Sequence, residues 1–318
     1  MVVSVASGKG GTGKTTVAVN LFLACASLKS EECPHLEQEG RELLNGEITF
    51  LDCDVEEPNA HIFLKPKIDE RLIVTTMLPR VLPEKCSHCG TCAQVCSFNA
   101  VLATKRTTLV LERLCHGCGA CVLFCPQKAM VEDGKEIGTI ETGTLGPELV
   151  FAHGILKTGE ILTAKVIAEL KRRAKREGLT IIDAPPGASC PMVEAVKGSD
   201  FCILVTEPTP FGLHDLAIAV EVVEKLGIPA GVVVNRSDAG NRGVFEFCRE
   251  RQLPILIEIP FDRELMEAYA GGHAAVRWSE HYLGLFKLLF ERLVKAWRGK
   301  ATREEMRYGT VGVDGPNR

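Results

Sequence analysis

The sequence predicts an α/β fold: a doubly wound, mostly parallel sheet interrupted by a small, cysteine-rich α+β domain. Three observations predict it. A glycine-rich stretch, residues 7–16, sits between a short apolar run at 2–5 and a helix-like run at 17–28. Apolar runs of strand length at 201–206, 231–235 and 255–259 alternate with helical patterns near 213–226, 243–251 and 263–270. That alternation belongs to a parallel sheet with helices on its faces. Between them, eight cysteines fall into two runs within residues 86–125.

The bulk properties narrow the class. A chain of 318 residues with 46% hydrophobic content can bury one large core or two smaller ones. A net charge of −4 argues against a nucleic-acid partner, which demands a basic face. Residues 1–5 are too short and lack the basic flank of a signal peptide, and no apolar run spans a bilayer. The expectation is a cytoplasmic protein that does not bind membranes. Fourteen cysteines in that compartment point to metal or redox chemistry rather than disulfides.

The first element is the strand–loop–helix at the N-terminus. Gly8, Gly13, Lys14 and Thr15 match the phosphate-binding pattern G-x-x-x-x-G-K-[ST], with Gly10, Gly11, Thr12 and Thr16 completing the stretch. Glycines let backbone N–H groups turn toward phosphate oxygens, and the helix N-terminus adds positive potential. Lys14 is expected to reach the β- and γ-phosphates and Thr15 to ligate Mg²⁺. Residues 30–47 follow as a polar surface insertion with a short helical pattern at 36–44. Residues 48–51 form a buried strand ending in Asp52-Cys53-Asp54. Alternation puts Asp52 and Asp54 on one side, at a strand's C-terminal end where α/β sheets bind ligands. The two read either as a site pair or as a loop-capping pair.

Cys86, Cys89, Cys92 and Cys96 have the spacing C-x₂-C-x₂-C-x₃-C, and Cys115, Cys118, Cys121 and Cys125 repeat it before Pro126. This is the run of a bacterial-type ferredoxin with two [4Fe–4S] clusters, in which the fourth cysteine of each run serves the other cluster. The expected ligand sets are therefore Cys86, Cys89, Cys92 and Cys125, and Cys115, Cys118, Cys121 and Cys96. Paired C-x₂-C also binds zinc, but two complete four-cysteine runs favour clusters. Ser97 stands where the second run has proline, a change that bears on a turn and not on the ligand count. His88 and His116 read as cluster surroundings. The module is expected over residues 78–136, between two parts of the main domain at 1–77 and 137–299. Its cofactors are also its core, because so short a segment buries little apolar surface.

Beyond it, residues 138–141 and 149–153 read as strands and 154–160 as a loop. Residues 161–177 read as an amphipathic helix whose basic face, Lys171, Arg172, Arg173, Lys175 and Arg176, is either solvated or turned to an acidic partner. Residues 181–187, Ile-Ile-Asp-Ala-Pro-Pro-Gly, read as a Walker B strand and switch, with Asp183 holding Mg²⁺ through water. The last helix, 279–297, carries Leu283, Phe286, Phe290, Leu293 and Trp297 near one face, which favours core or dimer packing over the alternative of lipid binding. Residues 300–318 read as a polar, disordered tail.

Lys9 narrows the family. Lys-Gly-Gly-Thr-Gly-Lys-Thr-Thr, residues 9–16, resembles the deviant Walker A loop of the MinD/ParA ATPases, a group that includes the nitrogenase iron protein. The resemblance covers nearly all of the chain except the 30–47 insertion and the tail. It implies a MinD-like P-loop NTPase fold and ATP hydrolysis in a sandwich homodimer, with Lys9 touching phosphates held by the other subunit. It assigns Asp54 to the attacking water, supported by Asp52, and makes Lys9, Lys14 and Asp54 the catalytic set, with Asp54 close to Mg²⁺. Asn235-Arg236 resembles the family's adenine-recognising pair, and Pro260-x-Asp262 the loop that closes over the base. Cys190 follows Asp183 at an offset similar to that of a cluster-ligating cysteine in the nitrogenase iron protein; otherwise it is a small buried cysteine.

The implied cofactors are ATP, Mg²⁺ and two [4Fe–4S] clusters. The expected function is coupling of nucleotide state to electron transfer, toward an unknown redox or cluster-accepting protein. The alternatives are a cluster carrier or assembly scaffold, and a MinD-like positioning switch with structural clusters. The C-x-x-C of Mrp-type carriers is absent, since Cys202 and Cys248 stand alone.

Overall fold

A computed structural model describes residues 1–30, 36–174 and 177–299. Expectations for the tail at 300–318, for Lys175 and Arg176, and for part of the 30–47 insertion fall outside those residues. Strand β1 (Val2–Ala6) leads into helix α1 (Lys14–Ser30), and α2 (Gln38–Asn45) precedes β2 (Ile48–Asp52) and α3 (Ala60–Leu64). A long strand β3 (Lys67–Val81) then leads to a small cysteine-rich lobe with α4 (Thr91–Gln94), β4 (Val101–Ala103), β5 (Thr108–Val110) and α5 (Ala120–Leu123). The chain returns along β6 (Met130–Gly146) and β7 (Leu149–Leu156) to α6 (Thr163–Lys171) and β8 (Leu179–Asp183). Then α7 (Cys190–Val196), β9 (Phe201–Thr206), α8 (Pro210–Lys225), β10 (Ala230–Asn235), α9 (Gly243–Glu250), β11 (Ile255–Ile259), α10 (Arg263–Ala270) and α11 (Glu280–Trp297) complete the order.

One nine-stranded sheet runs β11-β10-β9-β1-β8-β2-β7-β6-β3. The strands from β11 to β7 pair in parallel, and β6 and β3 add an antiparallel margin. The central strands β2, β8 and β9 are buried along their whole length, which is why they read as continuous apolar runs rather than alternating ones. One face of the sheet packs a core with Phe22, Phe50, Phe151, Phe286 and Phe290. The other face packs Leu51, Ile140, Val166, Ile182 and Val220. Helix α11 lies against α1 and buries Phe286, Phe290 and Leu293, while Leu283 and Trp297 are half-buried at the margin. Among the described residues no helix is long and apolar enough to cross a membrane.

The sequence did not reveal the β3–β6 hairpin at its full length. Residues 67–77 carry charged and exposed positions, with Val74 and Thr76 alone buried among 67–76, so no apolar run marks them. The expected module limits at 78 and 136 fall inside these two strands. Gly154 to Leu156 belong to β7 rather than to a loop. The helix expected over 161–177 is only α6, nine residues long, since the chain turns at Arg172 and Arg173. Lys171 is not on a solvated face: its Nζ donates to the carbonyls of Glu194 at 2.5 Å and Lys197 at 2.6 Å. Arg173 faces Glu70 at 3.6 Å.

Candidate functional site

The C-terminal ends of β1, β2, β8, β9 and β10 converge, because the strands are parallel and adjacent. The glycine-rich loop leaves β1 there. Ser7 Oγ donates to the Lys9 carbonyl at 2.5 Å. A Cβ on Gly8 would lie 2.1 Å from the Asp215 carbonyl oxygen, so only glycine allows α8 so close to the loop. Gly13 has φ +93°, and a Cβ there would meet Asn235 Nδ2 at 2.6 Å. Asn235 Nδ2 donates to the Thr12 carbonyl at 2.9 Å. The loop is thus braced from β10 by the residue expected at the base. Lys14 and Thr12 are buried, and Thr12 Oγ1 has no partner.

The two aspartates beside the loop differ in their bonding. Asp52 is fully buried, and its carboxylate accepts from the N–H groups of Asp54 (3.1 Å), Asn59 (3.0 Å) and Ala60 (3.0 Å). It therefore shapes the turn that presents Asp54. Burial pushes Asp54 up to about 6, with Lys14 opposing the shift and Glu56 and Glu57 adding to it. Asp183 is 1% exposed, and neither carboxylate oxygen has a hydrogen-bond partner. Burial raises its pKa, and the Thr15 hydroxyl and Lys14 ammonium pull the other way. An orphaned buried carboxylate beside a hydroxyl and a second carboxylate is a donor set that fits a hydrated divalent cation.

One residue escaped the sequence reading. Glu207, directly after β9, lies 3.6 Å from Lys9 Nζ and 2.9 Å from Arg236 Nη1. A single buried carboxylate thus holds both the extra loop lysine and the expected adenine-side arginine. Its only signal in the sequence is an acidic residue closing an otherwise apolar strand. Arg236 itself has φ +49°. Pro260 follows β11 directly, while Asp262 caps α10, accepting from the N–H groups of Glu264 (2.8 Å) and Leu265 (3.4 Å) and from the Tyr282 hydroxyl. Cys190 is exposed at the start of α7, so the buried-cysteine reading of it does not hold.

The lobe at the tip of β3 and β6 is an internal repeat. Cys86 and Cys115 each follow a short 3₁₀ turn, and Gly90 (φ +81°) and Gly119 (φ +79°) each open a one-turn helix. Asn99 (φ +51°) and Lys128 (φ +49°) occupy matching left-handed turns. The N–H groups of Ala100 and Ala129 donate to Cys96 Sγ and Cys125 Sγ, both at 3.2 Å. Ser97 in place of proline has not changed the turn.

Two small, partly open hollows lie in the lobe. Cys86, Cys89, Cys92 and Cys125 line the first, and Cys96, Cys115, Cys118 and Cys121 the second. The fold brings the cysteines together in the crossed sets expected from their order. Each hollow joins four soft sulfur donors to backbone N–H groups aimed at sulfur, a donor set that fits a [4Fe–4S] cluster. The lobe's own apolar core is small, with Val101 and Met130 buried beside Cys92 and Cys121. His88 and Thr108 line the first hollow, and Phe98 stacks on His116 at 3.9 Å beside the second.

Residues 85–130 match the model of the 4Fe–4S dicluster domain. The chain is 32% identical over 262 residues to the uncharacterized protein MJ0578 of Methanocaldococcus jannaschii, covering 82% of this chain and 86% of that protein. It is 30% identical over 314 residues to MJ0579 of the same organism, covering 88% and 93%. Its fold is similar to that of the septum site-determining protein MinD of Pyrococcus horikoshii, solved with Mg-ADP, at TM-score 0.55 and 20% identity, covering 94% of this chain and 98% of that one. With a nine-stranded MinD-like sheet and a 4Fe–4S dicluster domain carried on its antiparallel margin, the chain belongs to the same family as MJ0578 and MJ0579.

Proposed function

We propose that the protein binds and hydrolyses ATP as a sandwich homodimer and couples its nucleotide state to electron transfer through two [4Fe–4S] clusters. The observation that carries this reading is the continuity of the sheet. The strands that end in Asp52 and Asp183 are neighbours, and β2 is joined through β7 and β6 to β3, which bears the cysteine lobe. A displacement of the nucleotide-facing ends therefore has a hydrogen-bonded route to the lobe.

In this reading Lys14 and the loop N–H groups cradle the phosphates, and Asp54, presented by Asp52, orients the attacking water. Thr15 and Asp183, with Asp54 nearby, hold Mg²⁺, which offsets phosphate charge when bound. Glu207 restrains Lys9 within its own subunit. Release from Glu207 lets Lys9 reach phosphates across a dimer interface. Asn235 and Arg236, with the Pro260–Asp262 segment beyond β11, lie on the side where the base sits. Mg-ADP in the MinD of Pyrococcus horikoshii supports a nucleotide in the equivalent fold. The clusters supply one-electron redox chemistry, and the eight cysteines of the lobe hold them in the two crossed sets. The electron acceptor is a protein partner.

An anaerobic redox titration tests the coupling. The midpoint of at least one cluster should differ between the ATP and ADP states, and Lys14→Ala should abolish the difference together with ATP binding. Superimposable curves with ATP, with ADP and without nucleotide, at unchanged rates of electron delivery, would falsify it.

A further inference from the structure

Helix α6 touches three functional regions through polar side chains. At its start, Thr163 Oγ1 donates to Glu56 Oε1 at 3.0 Å, two residues after Asp54. At its end, Lys171 Nζ donates to the Glu194 and Lys197 carbonyls, in and just after α7. That helix begins seven residues after Asp183. Between them, Lys165 Nζ leaves the main domain for the cysteine lobe. It donates to Thr76 Oγ1 on β3 at 2.8 Å and to the His116 carbonyl at 2.7 Å.

The second bond reaches a cysteine sulfur through a single peptide unit. The carbonyl of the His116–Gly117 peptide accepts from Lys165, and the N–H of the same peptide points at Cys115 Sγ, 3.4 Å away. This peptide is clamped. Gly117 has φ +61°, and a Cβ there would lie 2.6 Å from the Met77 carbonyl oxygen, 2.6 Å from Thr76 Oγ1 and 3.0 Å from Lys165 Nζ. A cation on the carbonyl side polarises the peptide and strengthens its N–H as a donor. Donors to ligand sulfur and nearby positive charge both favour the reduced, more negative cluster. The buried side of α6, Val166, Ile167 and Leu170, is packed tightly, so the helix moves as a rigid piece rather than deforming.

We propose that Lys165 is a positioning residue that sets the reduction potential of the cluster held by Cys96, Cys115, Cys118 and Cys121, and that α6 transmits nucleotide-driven movement of the Asp54 and Asp183 segments to that cluster through it. The first half concerns Lys165 and the cluster alone. The second half rests on the coupling function proposed above.

The test is a redox titration followed by electron paramagnetic resonance on the full anaerobic protein, with dithionite donating one electron to each cluster. Without nucleotide, Lys165→Met should lower the midpoint of one cluster by about tenfold in its reduction equilibrium, or ~59 mV, and leave the other in place. Thr108→Val should move the other cluster, whose ligand Cys86 its hydroxyl faces at 3.6 Å, and so assign the two signals. Lys165→Gln keeps a donor without the charge and should shift the same cluster in the same direction; it replaces the Met variant if that variant loses iron. Parental midpoints for both clusters in Lys165→Gln or Lys165→Met overturn the assignment. If the parent responds to ATP and Lys165→Met responds equally, α6 is not the route. If the parent shows no response to nucleotide, the coupling function fails, while the nucleotide-free midpoints still decide the role of Lys165.

Discussion

The two halves of the cysteine lobe share one spacing and one backbone path, yet their surroundings differ. In the first half His88 occupies a left-handed position (φ +55°), and its Nδ1 lies 3.6 Å from Cys86 Sγ and 3.3 Å from Thr108 Oγ1. Thr91 Oγ1 adds a contact to Cys89 Sγ at 3.3 Å. In the second half the matching position is Gly117, where a Cβ would meet the Met77 carbonyl oxygen and Thr76 Oγ1 of β3 at 2.6 Å and Lys165 Nζ of α6 at 3.0 Å. A histidine has room where the half faces outward. Where the half docks on β3 and α6, no side chain fits. The duplicated motif thus yields two unequal sites, one surrounded by its own polar side chains and one joined to the main domain.

Exchange of the fourth cysteines would break this comparison most severely. Cys125→Ser should cost the first hollow its cluster and Cys96→Ser the second, each lowering iron from about eight to about four atoms per chain. In Cys125→Ser the surviving signal should still respond to Lys165→Met. A survivor that responds to Thr108→Val instead would show that each run binds its own cluster. A smaller effect comes from making the halves alike. Gly117→His, which places a side chain against Met77 and Thr76, should destabilise the cluster-loaded protein by about 2–4 kcal/mol in anaerobic thermal unfolding. The reverse change, His88→Gly, should cost about 1 kcal/mol or less, since it removes two weak, half-buried polar contacts while relieving a left-handed backbone position. Equal losses would mean that the docking contact carries no stability. The smallest expected effect is that of Thr108→Val, the loss of one sulfur contact, about 1 kcal/mol or less in the reduction equilibrium of the first cluster.

The glycine-rich loop and the strand-end aspartates were legible because their pattern is local. Gly8, Gly13, Lys14 and Thr15 lie within one turn of chain, and Asp52 and Asp183 end strands whose apolar runs announce them. The crossed cysteine sets were expected from the two-cluster ferredoxin pattern, in which the fourth cysteine of each run serves the other cluster, rather than from spacing alone. The β3–β6 hairpin was not legible, because an antiparallel sheet margin needs no continuous apolar run and its charged positions resemble a loop. Glu207 was missed because an acidic residue after a strand gains meaning only from the Lys9 and Arg236 side chains that reach it.

Sequence by itself determined the mostly parallel sheet, the glycine-rich loop and the eight-cysteine pattern, since each depends on residues close in the chain or on a repeated period. Tertiary structure alone decided that Asp52 caps a turn while Asp183 stays unpartnered. It decided that Glu207 restrains Lys9, and that Lys165 meets the peptide beside Cys115. The last two depend on groups 198 and 49 positions apart in the chain, Lys9 with Glu207 and His116 with Lys165, and no local pattern encodes a distance that only the packing of α6 and β9 around one sheet creates.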